Sequence, residues 1–199
     1  MRTNFKTTLL ALAILVPASG AWSVANEQLV LQPQSRLWID GTSTIRSFTC
    51  KAVEVNAVVE ATGPNAIPAL FTGEKGVKTV QVTVPAERID CSDGKMNDHM
   101  RNALKVADYP TITFNLTTYD VAKNADGIAG TINGTLDLGG VKKPIALQAT
   151  GTSEGGVLHV TGAYDLKMTD YGLKPPSLMF GRIKVGDKVQ VKFDFVLKN

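Results

Sequence analysis

Three stretches in direct succession, Thr111 to Ala122, Gly127 to Leu138 and Val141 to Thr152, alternate apolar and polar residues, with turn dipeptides around them. A period of two puts one set of side chains on each face of an extended strand. Asp126-Gly127, Gly139-Gly140 and Gly155-Gly156 suit the positive φ angles of tight hairpin turns. Turns this short join antiparallel neighbours, so the pattern predicts a meander. Upstream, Leu37 and Ile39 share a face in Arg36 to Gly41, and Val53, Val55, Ala57 and Val59 do so in Phe48 to Glu60. These two stretches are expected to form an opening hairpin. Val80, Val82 and Val84 make a further strand, Val157 to Lys167 another, and Lys188 to Lys198 the last. In that last strand Val189, Val191, Phe193 and Phe195 oppose Gln190, Lys192 and Asp194, and a long irregular loop precedes it.

One amphipathic helix interrupts this β pattern. Ser92 or Asp93 can serve as N-cap, and Met96, Met100, Ala103, Leu104 and Ala107 recur at three- and four-residue spacing. The expected helix covers residues 94–107 and is the chain's only strong one outside the N-terminus. Pro110 stops it and pushes Tyr109 into extended backbone, where Ile112, Phe114 and Leu116 begin a strand. About eight alternating strands with one inserted helix predict an all-β, antiparallel, up-and-down barrel, since parallel strands of an α/β sheet would be apolar throughout. At that strand number the interior is either filled by side chains or holds one small ligand.

Arg2 and Lys6 precede the apolar run Leu9 to Val16, and small residues follow at Ser19 and Ala21 and at Ser23 and Ala25. This is the pattern of a secretory signal peptide, expected to be cleaved after Ala21 or Ala25. The run is shorter than a membrane span. The expectation is therefore residues 26–199 as a single exported domain, without a transmembrane segment and located in the periplasm. Formal charge is +3 and loses Arg2 and Lys6 on processing, and the remaining lysines are scattered among acids, which argues against nucleic acid as a partner. Two cysteines, Cys50 and Cys91, in an exported chain are more often a disulfide than a reactive pair, although sequence leaves their pairing open.

No Ser-His-Asp order with a nucleophile elbow, no phosphate loop and no CxxC occurs, so no catalytic residue and no cofactor is expected. Met96, His99 and Met100 share a helical face near Cys91 and form a soft set suited to Cu(I). Methionine is equally a core filler, and copper is the weaker reading. His159 has no partner at a recognisable spacing. Asn115-Leu116-Thr117 and Asn133-Gly134-Thr135 match the glycosylation sequon but fall inside expected strands. Asp170-Tyr171-Gly172 reads as a turn whose tyrosine covers a barrel end.

The run DHMRNALKVADYPTITF, then GTLDLGGVKKPIAL, then DYGL resembles the YceI-like family of bacterial periplasmic, lipocalin-like polyisoprenoid-binding proteins, from about Ser35 to Lys198. That resemblance implies an elongated apolar cavity holding a long isoprenoid or similar amphiphile, and no catalysis. Cys50 and Cys91 depart from the family's usual residues, as does the loop Lys174 to Asp187 with Pro175-Pro176 and Phe180-Gly181. The expected cavity lining is Leu37, Ile39, Phe48, Val80, Val82, Phe114, Leu136, Val191, Phe193 and Phe195 from strands, Met100 and Leu104 from the helix, and Tyr171. Arg46, Arg101, Lys174 and Arg182 are candidates to meet a polar head group. The expected partner is a long-chain lipid, isoprenoid, quinone or fatty amide. A barrel acting through its surface is the alternative, and a homodimer is left open.

Overall fold

A computed structural model describes residues 27–199, so the expected signal peptide lies outside the described residues. The strands are β1 (Val30–Leu31), β2 (Arg36–Ser43), β3 (Ser47–Ala52), β4 (Asn56–Ala61), β5 (Val77–Pro85), β6 (Ile89–Asp90), β7 (Thr111–Asn124), β8 (Gly127–Leu138), β9 (Val141–Glu154), β10 (Val157–Lys167), β11 (Ser177–Leu178) and β12 (Ile183–Lys198). Two helices interrupt them, α1 (Ala66–Phe71) and α2 (Gly94–Ala103). Paired neighbours run in the order β4-β5-β7-β8-β9-β10-β12-β2-β3-β6, with β1 and β11 pairing β12.

The two ends of that path meet along one seam. Lys51 pairs with Asp90 and Ala52 with Ile89; the Val53 N–H donates to the Arg88 carbonyl at 2.8 Å, and pairing resumes at Asn56 with Thr83. Thus β3 with β4 forms one interrupted stave, and β5 with β6 the stave beside it. The N-terminal segment joins the other side: Leu29 donates to the Val59 carbonyl at 3.0 Å, while Val30 and Leu31 pair with Lys198 and Leu197. Counting β1 with β2 likewise, the wall is an eight-stave antiparallel barrel, and its curling covers edges that would otherwise template aggregation.

Local chemistry explains the connections. Gly139 and Gly140 adopt φ of 59° and 81°, and Gly155 and Gly156 adopt 57° and 78°, the doubly positive turn that follows the twist of a hairpin. In β7 a bulge between Leu116 and Thr118 shifts the phase of the alternation. Ile112, Phe114 and Leu116 point inward before it, and Tyr119 and Val121 after it.

Several expectations are corrected. The stretch Phe48 to Glu60 is not one continuous strand; its break at residues 53–55 turns Val53 outward, 60% exposed. The helix ends at Ala103 rather than residue 107, because Lys105 enters left-handed backbone with φ of 56° and Ala107 falls beyond the end. Asp93, not Ser92, is its N-cap, accepting from the Met96 N–H at 3.0 Å. A second helix, α1, was not expected: Ala66, Ile67 and Leu70 are buried against Leu29, Val59, Tyr119, Ile128 and Leu158, so tertiary packing stabilises a segment too short to persist alone. The final strand begins at Ile183 instead of Lys188, since β11 folds back to pair with its first residues.

Two carboxylates fasten the turns at the α2 end. Asp90 accepts from the Asn97 side-chain amide at 2.8 Å and the Ser92 N–H at 3.0 Å, and Asn97 Oδ1 accepts from the Cys91 N–H. Asp187 accepts from the Thr169 hydroxyl at 2.7 Å and its N–H at 2.9 Å. The Asn97 amide chiefly lowers the Asp90 pKa, and the Thr169 hydroxyl that of Asp187, from an ordinary 3.8. A depressed folded pKa gives stability that is present above the unfolded value and lost as pH falls through the folded one. Thermal stability should therefore fall from about pH 4 downward, and Asp90→Asn with Asp187→Asn should flatten that acid limb.

Candidate functional site

The inner faces of the staves enclose a cavity of about 570 Å³, within the range of small-molecule sites. On β7 its lining runs from Ile112 to Val121, a length of about 30 Å along the strand. The α1 end is walled by Ala57, Val59, Leu70, Tyr119 and Leu197; the waist by Phe114, Ile132, Leu136, Ala149, Val160 and Phe193. At the α2 end lie Leu37, Ile39, Phe48, Met96, His99 and Met100. Charged lining residues, Arg46, Asp93 and Lys95, are confined to that end, which forms the mouth with Ser43, Ile45, Pro176, Ile183 and Val185.

Glycines opposite phenylalanines keep the lumen open. A Cβ at Gly41 would fall 2.3 Å from the Phe48 ring, at Gly134 2.3 Å from Phe114, and at Gly162 2.5 Å from Phe193. These rings lie against bare backbone at those positions. The lining does not close over the lumen in the way a core would.

The lining expected from alternation is found along this cavity: Leu37, Ile39, Phe48, Val80, Val82, Phe114, Leu136, Val191, Phe193 and Phe195 from strands, with Met100 and Leu104 at α2. Tyr171 is the exception. It is 2% exposed and packed with Leu138, Leu166, Met168 and Leu173, which line the lumen where it does not. Its hydroxyl is buried, and burial raises its pKa above the ordinary 10, with Tyr164 adding to the shift. Alternation cannot place it because it sits in a 3-10 turn, Met168–Tyr171. Sequence reasoning missed Tyr119 and Val121, whose inward phase depends on the β7 bulge, and Leu70 of α1. Ile145, Leu147 and Ala149 of β9 carried the same alternating signal as the residues that were chosen.

Cys50 and Cys91 form a disulfide, with Cα atoms 3.9 Å apart. It fastens the start of α2 to β3 within the cavity wall. The bond also withdraws Cys91 from the soft set with Met96, His99 and Met100 on which the weaker copper reading rested; those three line the cavity. Among the described residues no group of three or more His, Cys, Asp and Glu stands close enough to hold a metal. Of the candidate head-group cations, Arg46 is at the mouth, 3.7 Å from Asp93, while Arg101 pairs with Asp98 at 3.3 Å. Both are exposed pairs of the kind that contributes about 0–1 kcal/mol. Lys174 and Arg182 are exposed on the loop beyond the mouth.

The pattern of the YceI-like domain matches residues 38–197, nearly the whole barrel. The chain belongs to the YceI-like domain family. A UPF0312 protein of Shewanella baltica is 34% identical over 103 residues, 48% of this chain and 52% of that protein. A UPF0312 protein of Yersinia enterocolitica is 35% identical over 78 residues, 38% of each chain. The matches thus span about half or less of these curated relatives. Burkholderia cenocepacia BcnA superposes with a TM-score of 0.65 at 19% identity, covering 81% of this chain and 95% of that one. A polyisoprenoid binding domain from Saccharophagus degradans superposes at 0.62 with 15% identity, covering 86% and 97%. At these identities the likeness shows that this YceI-like chain shares the fold. No helix among its described residues is long and apolar enough to cross a membrane.

Proposed function

We propose that this YceI-like protein is a periplasmic carrier that holds one long-chain apolar amphiphile, of isoprenoid, quinone or fatty-amide type, in the barrel. The observation that carries the reading is the distribution of polarity: an apolar lumen from Leu70 to Met100, with charge only at one mouth. Each buried methylene contributes about 0.8 kcal/mol, whereas association costs roughly 4–15 kcal/mol, so chains of about ten carbons or more are favoured over small solutes. That the Saccharophagus degradans domain of the same fold is a polyisoprenoid binding domain supports the same ligand class. The basic and apolar N-terminal sequence supports export. Binding, not catalysis, is the activity.

Native mass spectrometry of protein purified from a periplasmic fraction, followed by organic extraction, tests this. A discrete long-chain species at near one per protein is expected. A chain that stays unliganded after incubation with isoprenoids, quinones and fatty amides would turn the interpretation toward a barrel acting through its surface.

A further inference from the structure

The loop between β10 and β12 ends in a short hairpin, with Ser177 and Leu178 paired to Lys184 and Ile183. Its root belongs to the cavity mouth: Pro176 and Ile183 line the lumen, and the Val185 N–H donates to the Pro176 carbonyl at 2.9 Å. Thr44 of the β2–β3 turn laces to it, its N–H donating to the Lys184 carbonyl at 3.0 Å and its hydroxyl to that of Arg182 at 3.1 Å. The tip carries Met179, 63% exposed, and Phe180, fully exposed, while Ile45 on the neighbouring turn is 66% exposed. Met179 and Phe180 hold φ of 50° and 53°, backbone that glycine would adopt without strain. The turn instead presents two large apolar side chains to solvent beside the opening of an apolar cavity.

The charge around this tip has one sign. Lys174, Arg182 and Lys184 flank it, Arg46 adjoins Ile45, and Lys95 stands across the mouth, all exposed. No acidic residue occurs from Lys174 to Gly186. Of the nearby carboxylates, Asp93 faces Arg46 and Asp187 is turned to Thr169. Exposed apolar side chains ringed by cations match an anionic bilayer, where rings and thioethers enter the acyl boundary and cations meet the head groups.

We infer that the Met179-Phe180 hairpin and the Ile45 turn dock the cavity mouth onto an anionic phospholipid surface, so that the amphiphile moves between bilayer and lumen without crossing water. Transfer rests on the carrier reading; docking does not.

Protein expressed from the full chain is sedimented with vesicles of phosphatidylcholine alone, or with about one third phosphatidylglycerol. Binding is expected only to the anionic vesicles, and Met179→Ser with Phe180→Ser should weaken it by about 10-fold or more. Arg182→Gln with Lys184→Gln should weaken it by about fivefold per charge, and high salt should imitate that loss. The Met179 and Phe180 side chains are exposed at the tip and outside the cavity lining, so ligand content by mass spectrometry should be unchanged in the Met179→Ser, Phe180→Ser variant. Equal sedimentation with neutral and anionic vesicles, or full binding by the Met179→Ser, Phe180→Ser variant, would overturn docking. Vesicle binding by a protein that takes up no amphiphile would sink the carrier reading and leave docking standing.

Discussion

Ala149→Trp should expel the long-chain ligand, weakening its affinity by about 100-fold while leaving a folded barrel. Ala149 projects into the waist from β9, and its cross-strand partners on both sides are glycines, Gly130 and Gly162. It is grouped with Phe114, Ile132, Leu136, Val160 and Phe193, so an indole there would occupy the space a chain must thread. Losing contact with several methylenes at about 0.8 kcal/mol each accounts for the predicted factor. Overpacking a filled core costs about 1–3 kcal/mol, but this position borders empty volume, so thermal stability should change by less than that. Ligand stoichiometry and unfolding temperature, measured on the same preparation, check both halves. A tryptophan variant that still carries one ligand per chain would show that the amphiphile does not lie along the lumen.

Removing the disulfide has the largest expected effect on stability. The bond closes a sequence separation of 41 residues, for which the chain-entropy account gives about 4 kcal/mol. That is a large share of the roughly 5–15 kcal/mol by which domains are stable, and corresponds to about 10 °C in unfolding temperature for a chain of this size. Cys50→Ala with Cys91→Ala, followed by thermal unfolding, measures it. The same variant frees the start of α2 from β3, leaving the Asp93 cap and the Asp90–Asn97 hydrogen bonds to hold the helix at the mouth. Ligand should then dissociate faster even at temperatures where the barrel remains folded. An unfolding temperature within a degree or two of the parent would mean that the bond adds little to what the β3–β6 seam already provides.

How far the sequence could be read follows from where the physics is local. Period-two alternation is a property of one strand, so β7 to β10, the paired-glycine turns and the end of β12 were all legible, and with them most of the cavity lining. The spacing of Met96 and Met100 likewise marked the inner face of α2. Export, by contrast, rests on residues 1–25 and on nothing in the barrel.

What alternation could not reveal depends on partners distant in the chain. Whether Phe48 to Glu60 runs on or breaks is decided by its register with β5 and β6 across the seam, where the extra residues of the 3-10 turn Ala86–Arg88 must be absorbed. Helix α1 exists because Leu29, Tyr119 and Leu158 bury it, and none of these is its neighbour in sequence. Tyr171 alternates with nothing, so only its packing against Leu138 and Leu173 shows that it is buried beside the lining and does not join it. The sequence by itself determined an antiparallel barrel with an apolar inner face, because side-chain periodicity and turn chemistry act within a few residues. Only the tertiary structure decided that the lumen stays open, because that depends on which glycine faces which ring across the sheet. It also decided where the mouth lies, since loops far apart in the chain, held together by Thr44 and Pro176, form it.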